Sequence, residues 1–321
     1  MNDKIARGRK ALELFENPET RMEGLALLKE EAESGNVHIM CDYGKLFNTP
    51  GAPVTQNKDE ALYWYKTAAD FGDDRGQFYM GLAYYNGDLV EQDYAKASKW
   101  FTLAGEKGYP LAQYYLGHMY FKGNGVPKDT AEAMRWFTLS VDRECNEARI
   151  SLGDIFSNPK WPNRDYRYAY NLYKQAMDSG FPDGFYKIGM MHYNGVLVPV
   201  NFIQASKYFR SGAELDHAGC CYMMGRMYYL GEGVEKNMAY GRRYLEVAIQ
   251  GGSIEASEFL ERVDIENKEK KWSGSKSTLI PIEVLYTPDL LERPKEANLT
   301  RAQLSVENTE VKKKKFSFFR K

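Results

Sequence analysis

Few groups in this chain of 321 residues are suited to catalysis or metal binding: the histidines His38, His118, His192 and His217, and the cysteines Cys41, Cys145, Cys220 and Cys221. The histidines are dispersed, with no spacing that would bring two onto one metal ion. His192 reads as a packed core residue and His118 as a hydrogen-bonding group on a binding surface. The neighbours Cys220 and Cys221 invite a strained vicinal disulfide or a reactive thiol, but both fall inside a predicted helix, where packing is the simpler role. Buried, unpaired thiols are expected at all four cysteines. Neither a nucleophile elbow nor a phosphate-binding loop occurs. The expectation is a chain with no catalysis, no cofactor and no metal.

What recurs instead is a packing pattern. Trp64, Trp100, Trp136, Leu172, Tyr208 and Tyr244 follow one another at 36-residue intervals without insertion or deletion. Such a period marks stacked units, each a supersecondary element that cannot bury its apolar face alone. Three further columns keep the same register. Glycines recur at Gly44, Gly81, Gly117, Gly153, Gly189 and Gly225, mostly after an apolar residue. Glycine inside a helix costs about 1 kcal/mol relative to alanine, so its recurrence predicts two helices too close for a side chain.

Asn57, Asp93, Asp129, Asp165, Asn201 and Asn237 form a column of short acceptors, each expected to cap the first turn of a helix. Asn57 with Glu60, Asp129 with Glu132 and Thr20 with Glu23 have the spacing of a capping box. Ala61, Ala97, Ala133, Ala169, Ala205 and Gly241 lie between cap and anchor, small residues against which larger ones can interdigitate. Glycine turns such as Gly123-Asn-Gly-Val126 and Gly231-Glu-Gly-Val234 separate the halves of a unit, and Gly72, Gly108, Gly180 and Gly252 stop the second helix. Pro159 and Trp161 replace turn glycines and Glu144 replaces a stop glycine, which predicts altered loop paths there.

The run Ala112-Gln-Tyr-Tyr-Leu-Gly-His-Met-Tyr-Phe-Lys-Gly-Asn-Gly-Val126, followed by Asp129 and Ala133-Met-Arg-Trp136, resembles the Sel-1-like repeat, a relative of the tetratricopeptide repeat. The resemblance covers roughly residues 36–252. It implies an all-α, right-handed α-solenoid superhelix of about seven helix-turn-helix repeats, acting in protein–protein interaction as a scaffold or adaptor. Residues 1–35 read as an N-terminal capping helix pair with Arg7 in the glycine column, residues 253–271 as a C-terminal capping helix, and residues 272–321 as a mostly disordered, flexible tail. Some secreted members staple each unit with a cysteine pair, a device missing here.

At about 100° per residue, the positions three before, one after and four after the column glycine point away from the expected core. In a superhelix of this type that side lines the concave surface. The positions carry Phe78, Leu82, Tyr85, Tyr114, His118 and Phe121, then Ile150, Asp154 and Ser157, then Tyr186, Met190 and Tyr193, then Tyr222, Arg226 and Tyr229. An exposed aromatic strip with an arginine is the composition of a binding hot spot, here for a protein or peptide ligand. The alternative is that curvature tucks these rings against neighbouring repeats as additional core.

The net charge of −1 is unevenly spread: residues 272–321 hold ten Lys/Arg against six Asp/Glu, and the rest 33 against 38. Nucleic acid is therefore not expected as a ligand of the repeats. The C-terminal run Lys312, Lys313, Lys314, Lys315, Phe316, Phe318, Phe319, Arg320 and Lys321 suits weak contact with an anionic membrane, tunable by phosphorylation of Ser317. It resembles a fragment of the MARCKS effector region. No apolar signal core or span-length stretch occurs, so a cytoplasmic location is expected, with the inner face of a membrane as a second possibility. A peripheral membrane scaffold, or an inhibitor- or immunity-type protein that blocks one enzyme, remains open as an alternative function.

Overall fold

The computed structural model describes residues 2–273, and the side chains of residues 3–265. Every described element is helical. The helices are α1 (Asn2–Glu16), α2 (Arg21–Glu33), α3 (Val37–Asn48), α4 (Lys58–Asp70), α5 (Asp74–Asn86), α6 (Tyr94–Glu106), α7 (Pro110–Lys122), α8 (Thr130–Val141), α9 (Asn146–Ser157), α10 (Tyr166–Asp178), α11 (Pro182–Asn194), α12 (Phe202–Glu214), α13 (Ala218–Leu230), α14 (Met238–Gln250) and α15 (Ile254–Ser273). They make seven helix pairs followed by a single helix, an α-solenoid of repeats. The chain divides into two compact units at Ile155 and Phe156. Within each, helices adjacent in sequence pack together, from α1 to α8 and from α10 to α15, and first helices of successive pairs also touch: α3 with α5, α5 with α7, and α11 with α13.

The helices begin where short acceptors occur. The side chains of Asn57, Asp93, Asp129, Asp165, Asn201 and Asn237 each accept a hydrogen bond from a backbone N–H of the first turn that follows. The boxes are only half formed, however, because the glutamates are used elsewhere. Glu60 accepts from Trp64 Nε1 at 3.0 Å, and Glu132 pairs with Arg135. Thr20 does not cap with its side chain at all; its hydroxyl donates to the Leu14 carbonyl at 2.9 Å.

The glycine column permits close approach, as its cost requires. A Cβ at Gly81 would meet the Phe101 ring at 2.5 Å, at Gly189 the Phe209 ring at 2.5 Å, and at Gly225 the Leu245 side chain at 2.7 Å. These partners stand one residue after the anchors. That neighbouring column, Tyr65, Phe101, Phe137, Tyr173, Phe209 and Leu245, is buried throughout, whereas the anchors Trp100 and Tyr208 remain half-buried. Burying each such side chain contributes roughly 2–3 kcal/mol. The alanine column is fully buried from Ala61 to Ala205. On the first helices, Ala83, Met119, Ile155, Met191 and Met227 form a further buried column, two residues after each glycine.

Glu144 keeps the loop path that was expected to change. It adopts φ 62°, the left-handed region, and its N–H donates to the Val141 carbonyl at 2.8 Å, as Gly72 donates to Ala69 at 2.8 Å. Asp216, at the same place in a later repeat, does likewise with φ 59°. The loop with Pro159 and Trp161 does depart: helix α9 stops at Ser157 without the left-handed glycine cap seen at Gly87, Gly123, Gly195 and Gly231. Its ends are still closed as elsewhere, by the Asp165 N–H on the Phe156 carbonyl at 2.9 Å. In the N-terminal pair, Arg7 bonds the buried Glu31 at 2.9 Å, and Glu31 also accepts from Asn36 at 2.8 Å.

Candidate functional site

Ile150, Asp154 and Ser157, the three strip positions on α9, carry no aromatic ring, and the other twelve fall six in each unit. In the first unit they sit on α5 and α7. Phe78 is only 3% exposed, its ring among those of Phe101, Tyr109 and Tyr115, so it is core and presents no face to a ligand. Leu82 is half-buried against the same cluster. Tyr85 meets Tyr94 and Tyr115 edge-on at 5.2 and 5.3 Å. Tyr114 lies 4.7 Å from the His118 ring, and burial pushes its hydroxyl pKa up. His118 Nε2 is 3.1 Å from Ser151 Oγ, and its ring crosses Phe137 at 5.1 Å. Burial, then the Lys122 charge, holds His118 down to about 4, so it is neutral at physiological pH. Phe121 is half-buried.

In the second unit the strip lies on α11 and α13. Tyr186 packs beside His217 at 5.3 Å, and Met190 rests on the core cluster of that unit. Tyr193 contacts Phe202 at 5.0 Å and donates its hydroxyl to Glu232 at 2.5 Å. The Arg226 guanidinium stands 5.5 Å over the Tyr193 ring, with no carboxylate in ion-pair range among the described residues. Tyr222 and Tyr229 approach Phe259 of α15 at 6.3 and 5.7 Å, and Tyr229, 7% exposed, is core. The strip is thus half-buried rather than exposed. Phe78 and Tyr229 are corrections to the expectation, and their cause is contact on two sides: first helices touch their second-helix partners and also the first helices of the next pair.

Polar groups that no spacing rule singles out complete these surfaces. His217 Nδ1 caps α13 by accepting from Cys220 N–H at 3.0 Å, while its Nε2 faces Asp183 at 3.4 Å. In the first unit, Arg75 pairs with Asp42 at 3.2 Å and donates to the His38 carbonyl. The contacts of His217 with Asp183 and of Arg75 with Asp42 and His38 each join residues more than thirty apart, with no local signal.

The described residues hold no cluster of His, Cys, Asp or Glu fit for a metal ion, and all four cysteines are buried and outside any disulfide. Burial and the Glu147 carboxylate raise Cys145 to about 11, and Cys41 is raised for the same kind of reason, beside Asp73. Neither is a poised thiolate. No described helix is long and apolar enough to cross a membrane. The basic-aromatic run from Lys312 to Lys321 lies outside the described residues.

Residues 40–73, 74–109, 110–144, 146–181, 184–217 and 218–253 match six copies of the Sel1 repeat. Among solved structures, c5321, a protective antigen of uropathogenic Escherichia coli with an SLR fold, is 31% identical with a TM-score of 0.61, the match covering 79% of this chain and 53% of c5321. The chain thus spans about half the length of that protein. A Sel1 repeat protein from Oxalobacter formigenes is 26% identical, with 62% of this chain and 81% of that chain covered and a TM-score of 0.58. The immunity protein Pa5087 of Pseudomonas aeruginosa, 15% identical over 69% of this chain and 83% of its own at a TM-score of 0.50, shares the fold. No curated protein matches the chain.

Proposed function

The chain belongs to the Sel1 repeat family, whose members generally mediate protein–protein interaction, and from that premise we propose that it is a non-catalytic scaffold gripping a protein segment along its first helices. The observation that carries this reading is the side of α11 and α13, where Arg226 stands over Tyr193 at 5.5 Å without a carboxylate partner among the described residues. Half-buried Tyr186, Met190 and Tyr222 flank the pair. Rigid rings held by the core lose little entropy on binding, and a guanidinium already stacked is oriented for a carboxylate. Tyr114 and Tyr85 supply a comparable wall on α7 and α5. An inhibitor-type role would use the same surface, and four buried cysteines outside any disulfide suit a reducing compartment such as the cytoplasm.

Photo-crosslinking in the native cell tests this. A benzophenone side chain in place of Tyr222 is expected to capture one stoichiometric protein, and the same group at exposed Lys99 is not. Equal capture from both positions refutes the assignment.

A further inference from the structure

A second surface lies in the last two repeats and shares no lining residue with the aromatic strip. Helices α12 and α14, with the turn between α13 and α14, enclose a cleft of about 520 Å³. Lys207, Arg210 and Lys236 line it, and none of the three pairs with a carboxylate among the described residues. Beside them Tyr228 and Tyr240 stack at 5.8 Å and 29°. At the rim Ile203 is 64% and Tyr240 40% exposed, which puts apolar surface beside the cations.

In the first unit Arg135, at the position equivalent to Lys207, is neutralised by Glu132 at 3.0 Å. In the last two repeats the caps are the uncharged Asn201 and Asn237, and the positions equivalent to Glu132 hold Gln204 and Tyr240. Lys207 therefore lacks the carboxylate that neutralises Arg135, and the charge that would balance it beside Arg210 and Lys236 is left for a ligand to bring. Glu235 is the single carboxylate lining the cleft.

We propose that this cleft docks a short acidic segment of a protein partner, its carboxylates on Lys207, Arg210 and Lys236 and one apolar or aromatic side chain between Ile203 and Tyr240. Three cations grouped about one apolar patch suit alternating acidic and aromatic residues. A phosphate backbone would require a longer basic track than this one, which Glu235 interrupts.

The probe is a fluorescein-labelled decapeptide of alternating glutamate and tyrosine, titrated with the full chain and followed by anisotropy. Saturable binding is expected at 50 mM salt, weakening severalfold at 300 mM. The double variant Lys207→Glu/Arg210→Glu, its fold checked by circular dichroism, is expected to lose at least tenfold in affinity. Arg210→Gln alone should lose severalfold, which covers the case in which charge reversal disturbs folding. Tyr222→Ala, which alters only the aromatic strip, should bind as the parent does, so the two surfaces fail or survive separately. Absence of saturable binding, equal affinity of Arg210→Gln, or tighter binding of a single-stranded oligonucleotide than of the peptide overturns the proposal.

Discussion

Gly117 lies flat against the ring of Phe137: a Cβ on the glycine would stand 2.6 Å from two carbons of that ring. Phe137 is buried, so the ring has no room to withdraw without disturbing the neighbouring His118 and Tyr114. Gly117→Ala is therefore expected to destabilise the chain by about 1–3 kcal/mol despite alanine's better helix propensity, as overpacked cores do. Urea unfolding measures it. Phe137→Leu in the same chain should recover part of the loss, and a fully additive double variant would contradict the contact.

Glu144 holds a left-handed conformation that glycine adopts freely, and here a side chain tolerates it only because the helix end requires it. Glu144→Gly is expected to stabilise by about 0.5–1 kcal/mol. Asp216→Gly, at the corresponding place in the second unit, should do the same, read as a higher urea midpoint at unchanged slope.

Much of this architecture was legible because its signals are local. A cap needs only an acceptor and the amides two or three residues on, so Asp165 and Asn237 could be assigned from spacing alone, and the glycine column announced a close approach through its own cost. The strip was less legible. A wheel centred on one buried face treats each first helix as one-sided, whereas α5 and α7 are contacted from two directions, which drew Phe78 inward and buried Met119 unannounced. Phe101 and Phe209, on the second helices α6 and α12, stood beside the more conspicuous anchors Trp100 and Tyr208. Polar ties such as His217 with Asp183 depend on registers between helices, which no period within one helix encodes.

Asp165 opens α10 directly after the loop that has lost its turn glycines, and it accepts from both Arg167 and Tyr168 N–H at 2.9 and 3.0 Å. Asp165→Ala is expected to cost about 1 kcal/mol, and Asp165→Asn much less, since the amide oxygen can still cap. Thr20→Ala probes a different bond, because that hydroxyl serves the Leu14 carbonyl and not the first turn of α2. Thermal unfolding of the three variants ranks them.

His118 gives the folded chain a pH dependence with a definite sign. Its ordinary value near 6.5 falls to about 4 on folding because burial penalises the imidazolium, with Lys122 adding to the shift and Asp154 opposing it. Between those values the unfolded chain binds the proton and the folded chain does not, so stability is complete above pH 6.5 and is lost as pH falls toward 4. The share due to this residue is about 2 kcal/mol by pH 5. Urea midpoints at pH 7.5 and 5 measure the total loss. In His118→Gln that loss should shrink by His118's share, whatever the variant's stability at neutral pH. An undiminished loss in His118→Gln would mean that the ring is hydrated and already titrates normally, against its burial beside Tyr114 and Phe137.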